Sequence, residues 1–167
     1  GINKAMLHYY FRSKEKLFTI IMSETVKSFF QNMAIVLNEE QTILEEKIEK
    51  IATSYIDMMI QESEIPTFIV SELRSNPKDF LERLPIPQLV RDSIFLQQFQ
   101  KAVAAGKISE PNPLHFLMNL LGLMVFPFIA KPLLQNLGNL NDLQFNQLML
   151  DRKQMVPLWM KTMMQTK

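Results

Sequence analysis

The sequence predicts an all-α fold, and three observations carry that expectation. Glycine is scarce (4) and methionine frequent (12) in 167 residues, a balance that favours helix over sheet. Apolar residues recur at spacings of three and four over long stretches, and no convincing pair of alternating strands interrupts them. Capping residues and prolines punctuate the chain at intervals suited to helices.

The elements follow in order. Asn3 is placed to cap a short helix reaching about Tyr10, and Ser13 to cap a second. The second carries Leu17, Phe18, Ile21, Met22, Val26, Phe29, Phe30, Met33, Val36 and Leu37 on one face. At about 24 residues it is roughly 36 Å long. Thr42 and Glu45 form a T-x-x-E capping box for a third helix. Its apolar face is Leu44, Ile48, Ile51, Ile56, Met59 and Ile60, with Tyr55 beside it. Pro66 suits the first turn of a further helix, and Asn76-Pro77 starts another short one. Pro85-Ile86-Pro87 breaks that one and opens a helix ending near Ala105, with Gly106 as a left-handed stop. Asn112-Pro113 starts a strongly apolar helix that Pro127 and Pro132 should kink or end. Asn141 caps the last helix, which runs to about Gln165 with Pro157 as a place to bend.

Composition limits the function classes. The absence of cysteine excludes a disulfide framework and any thiolate metal site. A net charge of +1 is too small for a generic polyanion binder, so affinity for nucleic acid needs a local basic patch. Leu114 to Leu134 has the length of a bilayer span, but His115, Asn119, Pro127, Lys131 and Pro132 fall inside it. Burial between protein layers is the expected reading, with no membrane partner. With two histidines, no Gly-rich phosphate loop, no H-E-x-x-H and no nucleophile elbow, no enzyme is expected, and no metal or cofactor. Glu39, Glu40, Glu45 and Glu46 read as a solvated helix start.

The local patch is at the start. Residues 3–16 hold Lys4, His8, Tyr9, Tyr10, Arg12, Lys14 and Lys16 against a single acid, Glu15. Lys4 and Lys14 each follow a capping residue, where a cation opposes the helix dipole by about 0.3–1 kcal/mol. A bound phosphate would reverse that sign, because free N–H groups and an ammonium would converge on one anion. Tyrosines offer hydroxyl donors for phosphate oxygens, while Lys and His can reach base edges. The plain alternative is that the tyrosines pack and the lysines form a solvated face.

Gly1, Ile2, Asn3, Leu7, Tyr9, Tyr10, Phe11, Ser13, Lys14 and Leu17 stand in a specific order. Residues 1–18 resemble the end of the helix-turn-helix in the tetracycline-repressor (TetR) family, whose pattern is roughly G-[VI]-S-x-x-x-[LI]-Y-x-[HY]-F-x-[SN]-K-x-x-L. The resemblance implies a recognition helix at about residues 3–10, capped by Asn3. It implies that Lys4, Ala5 and His8 approach bases and that Tyr9, Tyr10 and Lys14 hold phosphates. Leu7, Phe11 and Leu17 match positions that pack the small DNA-binding core. Met6 replaces a small polar residue, and His8 stands where Tyr is common. The family places two helices ahead of this motif, so the chain is expected to be N-terminally incomplete.

The same resemblance makes residues 1–18 the end of the DNA-binding domain and 19–167 a helical ligand-sensing and dimerisation domain. AAGKISEPNP is similar to the connector that precedes the family's dimerising helices. Candidate ligand contacts on the middle helices are Tyr55, Met58, Met59, Phe68, Phe95, Phe99, Met118 and Leu121, since Met and Phe make adaptable apolar linings. Glu72, Arg74 and Asn119 could add polar contacts. Candidate dimer contacts are Phe116, Leu120, Gly122, Leu123, Phe126, Met155, Trp159 and Met163. A Met-rich monomer core is the plain alternative for both sets. The expectation is a cytoplasmic homodimeric regulator, in the repressor sense, released from a double-stranded DNA operator by a small apolar effector. The rival is a helical hydrophobe-binding or scaffold protein without a DNA role.

Overall fold

The computed structural model describes the backbone of residues 4–84, 89 and 91–165, and side chains from Arg12 onward. Among these residues there are eight helices and no strand: α1 (Lys4–Asn38), α2 (Leu44–Gln61), α3 (Ile65–Ser75), α4 (Pro77–Arg83), α5 (Ile94–Ala104), α6 (Pro113–Ile129), α7 (Lys131–Gly138) and α8 (Asp142–Gln165).

The middle of the bundle is α2. Its buried positions Leu44, Ile48, Ile51, Ala52, Tyr55, Ile56 and Met59 step by three and four, so they form one stripe wide enough to meet several neighbours. It packs most extensively on α8 and also touches α1, α5 and α6. The α1 stripe of Met22, Val26, Met33 and Leu37 joins the same core, together with Phe99 of α5, Phe116, Leu120 and Met124 of α6, and Val156, Met160 and Met164 of α8. Each fully buried side chain of this kind contributes about 1.5–3 kcal/mol by leaving water. A smaller cluster of Ile56, Phe145 and Met149 closes the other end of the α2–α8 contact.

α6 and α8 run antiparallel. The Ser109 N–H, just ahead of α6, donates to the Met164 carbonyl at the end of α8 (2.8 Å). At the opposite end Phe128 and Phe145 meet edge to face at 5.9 Å.

Several helix boundaries agree with local chemistry. Asn112 accepts from the Leu114 N–H at 2.9 Å with Pro113 in the first turn. Asn141 and Gln144 exchange side-chain to backbone hydrogen bonds, both at 2.9 Å. Pro66 and Pro77 sit in first turns, and Gly106 ends α5 in the left-handed region at φ +69°.

Others differ. α1 passes through Ser13 without interruption, so the expected separation of a 3–10 helix from a Ser13 helix is absent. No glycine or proline lies between Lys4 and Asn38, and a lone serine is only mildly unfavourable in a helix, so nothing local compels a break. At α2 the cap is Ile43, whose N–H donates to the Glu46 carboxylate (2.9 Å), in place of the expected Thr42–Glu45 box. Thr42 faces inward, where Lys47 takes its oxygens. α5 begins at Ser93, whose hydroxyl accepts from the Leu96 N–H (3.3 Å). The proline run at 85–87 lies outside the described residues. The apolar 114–134 segment is two helices, α6 and α7, bent by 71° at Ala130. Among the described residues no single helix is long and apolar enough to cross a membrane.

Candidate functional site

A cavity of about 380 Å³ lies between α1, α2, α5 and α6. α1 contributes Phe30, Met33 and Leu37, and α2 contributes Ile51 and Tyr55. α5 and the segment before it contribute Leu89, Arg91, Ser93, Phe95, Leu96 and Phe99. α6 completes the lining from Pro113 to Met124. Residues three and four apart on each of these helices share a face, which is what aims these side chains at one volume.

Aromatic rings gather in two groups. Phe95 and Phe99 of α5 pack on Phe116 of α6 with centroids 5.8 and 5.3 Å apart. On α1 and α2, Tyr55 meets Phe29 edge to face at 4.7 Å and Phe30 at 6.4 Å. Burial pushes the Tyr55 hydroxyl well above the ordinary phenol value, so it remains an O–H donor. Among the described residues that hydroxyl has no hydrogen-bond partner.

Of the eight expected ligand contacts, the cavity gathers Tyr55, Phe95, Phe99 and Leu121. Met58 belongs instead to a shallow groove between α1 and α2 with Thr25, Asn32 and Asp57. Met59 is buried in the core without reaching the cavity. Phe68 is buried under Phe18 and Phe80, and Met118 points to solvent. Glu72, Arg74 and Asn119 stand outside the lining as well. Phe30, Met33, Phe116 and Leu120 also line it, outside the expected ligand contacts. The signal for the α1 pair was present in the stripe Phe29, Phe30, Met33, Leu37, but nothing in it indicated a void on that side.

The expected dimer contacts divide. Phe116 and Leu120 line the cavity and are buried in their own chain, so neither can cover a partner. Gly122, Phe126, Met155, Trp159 and Met163 are exposed, and Leu123 is half-buried. Because α6 and α8 are antiparallel neighbours, Met118, Phe126, Ile129, Leu148, Met155 and Trp159 add to an apolar surface without cover. Arg152 lies within it, donating to the Leu123 carbonyl (2.6 Å) and resting 5.0 Å over the Trp159 ring.

Of the expected DNA contacts, Asn3 is outside the described residues. Lys4, Ala5, His8, Tyr9 and Tyr10 fall on the first turns of α1, with their side chains outside the described part. Lys14 is exposed on the same helix. Leu17, Phe18, Ile20 and Ile21, one to two turns on, are also exposed.

Two further features complete the description. A second hollow, about 570 Å³, is a groove along α1 and α2 edged by Glu46, Glu49 and Lys50, without an enclosed wall of rings. Among the described residues no group of His, Asp or Glu is arranged to hold a metal ion. Against protein-family models, curated proteins and solved structures, the chain finds no match.

Proposed function

We propose that this chain is the sensing and dimerising part of a ligand-responsive DNA-binding regulator resembling the tetracycline-repressor family. In this reading an apolar effector occupies the cavity, and residues at the start of α1 contact an operator in the repressor sense. The protein acts by binding, without catalysis, in the cytoplasm.

The observation that carries the reading is the continuity of α1. One helix holds Lys4 to Tyr10 in its first turns and Phe30, Met33 and Leu37 on the cavity wall. A rigid rod of this kind converts a small shift at the cavity into a larger displacement at its far end. A ligand acts this way only if it binds the two arrangements with different affinity. The exposed α6–α8 face supports a twofold dimer, which would set two recognition helices about 34 Å apart.

The test uses the gene product with whatever residues its reading frame encodes ahead of Gly1. In a mobility-shift titration against DNA flanking its own gene, a sequence-specific complex is expected, weakened by an apolar effector. No preference over competitor DNA at any salt concentration would remove the DNA role. The rival, a hydrophobe-binding protein without a DNA role, draws support from the cavity alone, and it would stand if the cavity bound ligand while DNA did not bind.

A further inference from the structure

We infer that the cavity takes an uncharged, flat, apolar ligand carrying one hydrogen-bond acceptor, and that Tyr55 donates to that acceptor. This rests on reading the cavity as a ligand site and is independent of the DNA-binding reading.

Shape comes first. Phe30 and Tyr55 line the cavity from α1 and α2, and Phe95, Phe99 and Phe116 from α5 and α6. Rings prefer to be met by other rings in offset or edge-to-face contact, so a planar molecule among these five side chains has favourable aromatic partners. A volume of about 380 Å³ is at the small end for organic ligands, the scale of a two-ring molecule.

Polarity comes next. Among the described residues, the polar groups on the lining apart from Tyr55 are Arg91 and Ser93. The Ser93 hydroxyl is engaged as the cap of α5. Arg91 is exposed to solvent, with the exposed Asp92 next to it in the chain. An anion drawn to that position gains little, because exposed ion pairs are weak, and one placed deeper would lose its water with no cation to replace it. The Tyr55 hydroxyl is different. Its side chain is buried, the hydroxyl is kept protonated, and no hydrogen bond to a described residue occupies it. A carbonyl or ether oxygen on a neutral ligand would supply an acceptor for that hydroxyl, worth one ordinary neutral hydrogen bond.

Three probes test this on the 167-residue chain with its methionine methyls carbon-13 labelled, since Met33 and Met124 line the cavity while Met149 and Met160 do not. They are benzophenone, 1,1-diphenylethylene (a methylene in place of the carbonyl oxygen) and biphenyl-4-carboxylate. Benzophenone is expected to shift Met33 and Met124 and to bind about fivefold tighter than the olefin, the effect of one neutral hydrogen bond. Y55F should erase that preference while keeping the olefin's affinity, and the carboxylate should bind about tenfold weaker than benzophenone. L121W, which fills the cavity, should abolish binding of all three, and it provides the check if Y55F loses its fold. The inference is overturned if no probe moves Met33 and Met124, if Y55F keeps the preference, or if the carboxylate binds tightest. DNA binding by the gene product without probe binding would sink this inference alone, whereas probe binding without DNA binding would sink only the regulator.

Discussion

Lys47 is a charged side chain with no exposed surface, on the most buried helix of the protein. Its ammonium donates to the Glu39 carbonyl at the end of α1, to the Thr42 carbonyl (3.1 Å) and to the Thr42 hydroxyl (2.5 Å). Three donors meet three oxygens, and the charge sits at the negative end of the α1 dipole. Gln98 of α5 adds a bond to the same Thr42 carbonyl at 2.7 Å, so α1, α2 and α5 meet at one polar knot. K47M keeps the length but leaves the Glu39 carbonyl without its donor, and should destabilise by about 1–3 kcal/mol in denaturant titration. Burial lowers the Lys47 pKa below the ordinary 10.5. In the window between the lowered folded value and 10.5 the unfolded chain holds the extra proton, so wild-type stability should rise with pH there relative to K47M. A flat difference between the two proteins across that window would contradict the assignment. Lys14 belongs to the same scale. If it meets a phosphate, K14A in the operator-binding protein should weaken binding evenly across sequences and reduce the salt slope by about 1.

Among the helices, α6 shows how one irregularity is answered by another element. Pro127 has no N–H, so the Leu123 carbonyl four residues earlier loses its helical partner. Arg152 of α8 supplies the missing donor at 2.6 Å. R152L should therefore cost about 1–2 kcal/mol, and less in a P127A background, where the helix provides its own donor. Equal losses in the two backgrounds would show that the proline and the arginine are unrelated. Gly106 is a simpler case. A Cβ there meets no atom within 4 Å, so G106A tests the backbone alone, and φ of +69° should cost about 1 kcal/mol in thermal unfolding. These stops and starts were legible beforehand because each is a contract between a few neighbours in sequence. Asn112, Asn141, Pro66, Pro77 and Gly106 all act where their residue types predict. The Ser13 boundary was not legible in that way. A serine caps a helix only if the chain before it leaves the helix, and nothing between Lys4 and Asn38 forces it to.

For the molecule as a whole, the question is what covers the α6–α8 face. Phe126 is 58 % exposed and Leu158 62 %, amid other uncovered apolar side chains. Large apolar side chains left uncovered on two neighbouring helices suit an interface better than a solvent boundary. If it joins two copies, the wild-type chain should sediment as a dimer and the double variant M155E/W159E as a folded monomer. A wild-type monomer at high concentration would remove the homodimer from the functional reading. The candidate site was half legible. Tyr55, Phe95, Phe99 and Leu121 are large apolar or aromatic residues on middle helices, and they line the cavity. Met58, Met59, Phe68 and Met118 met the same criterion and do not.

The sequence by itself determined that this chain is helical, where most of its helices begin and end, and that a basic, tyrosine-rich segment leads into them. Those are properties of adjacent residues: caps, fixed φ angles and periodic stripes. Tertiary structure decided which side of α6 faces inward, because a helix apolar nearly all round carries no mark of direction. It put Phe116 and Leu120 on the cavity wall and left Phe126 outside. It also buried Lys47, whose charge is tolerable only because the end of α1 and the Thr42 turn bring three oxygens to it.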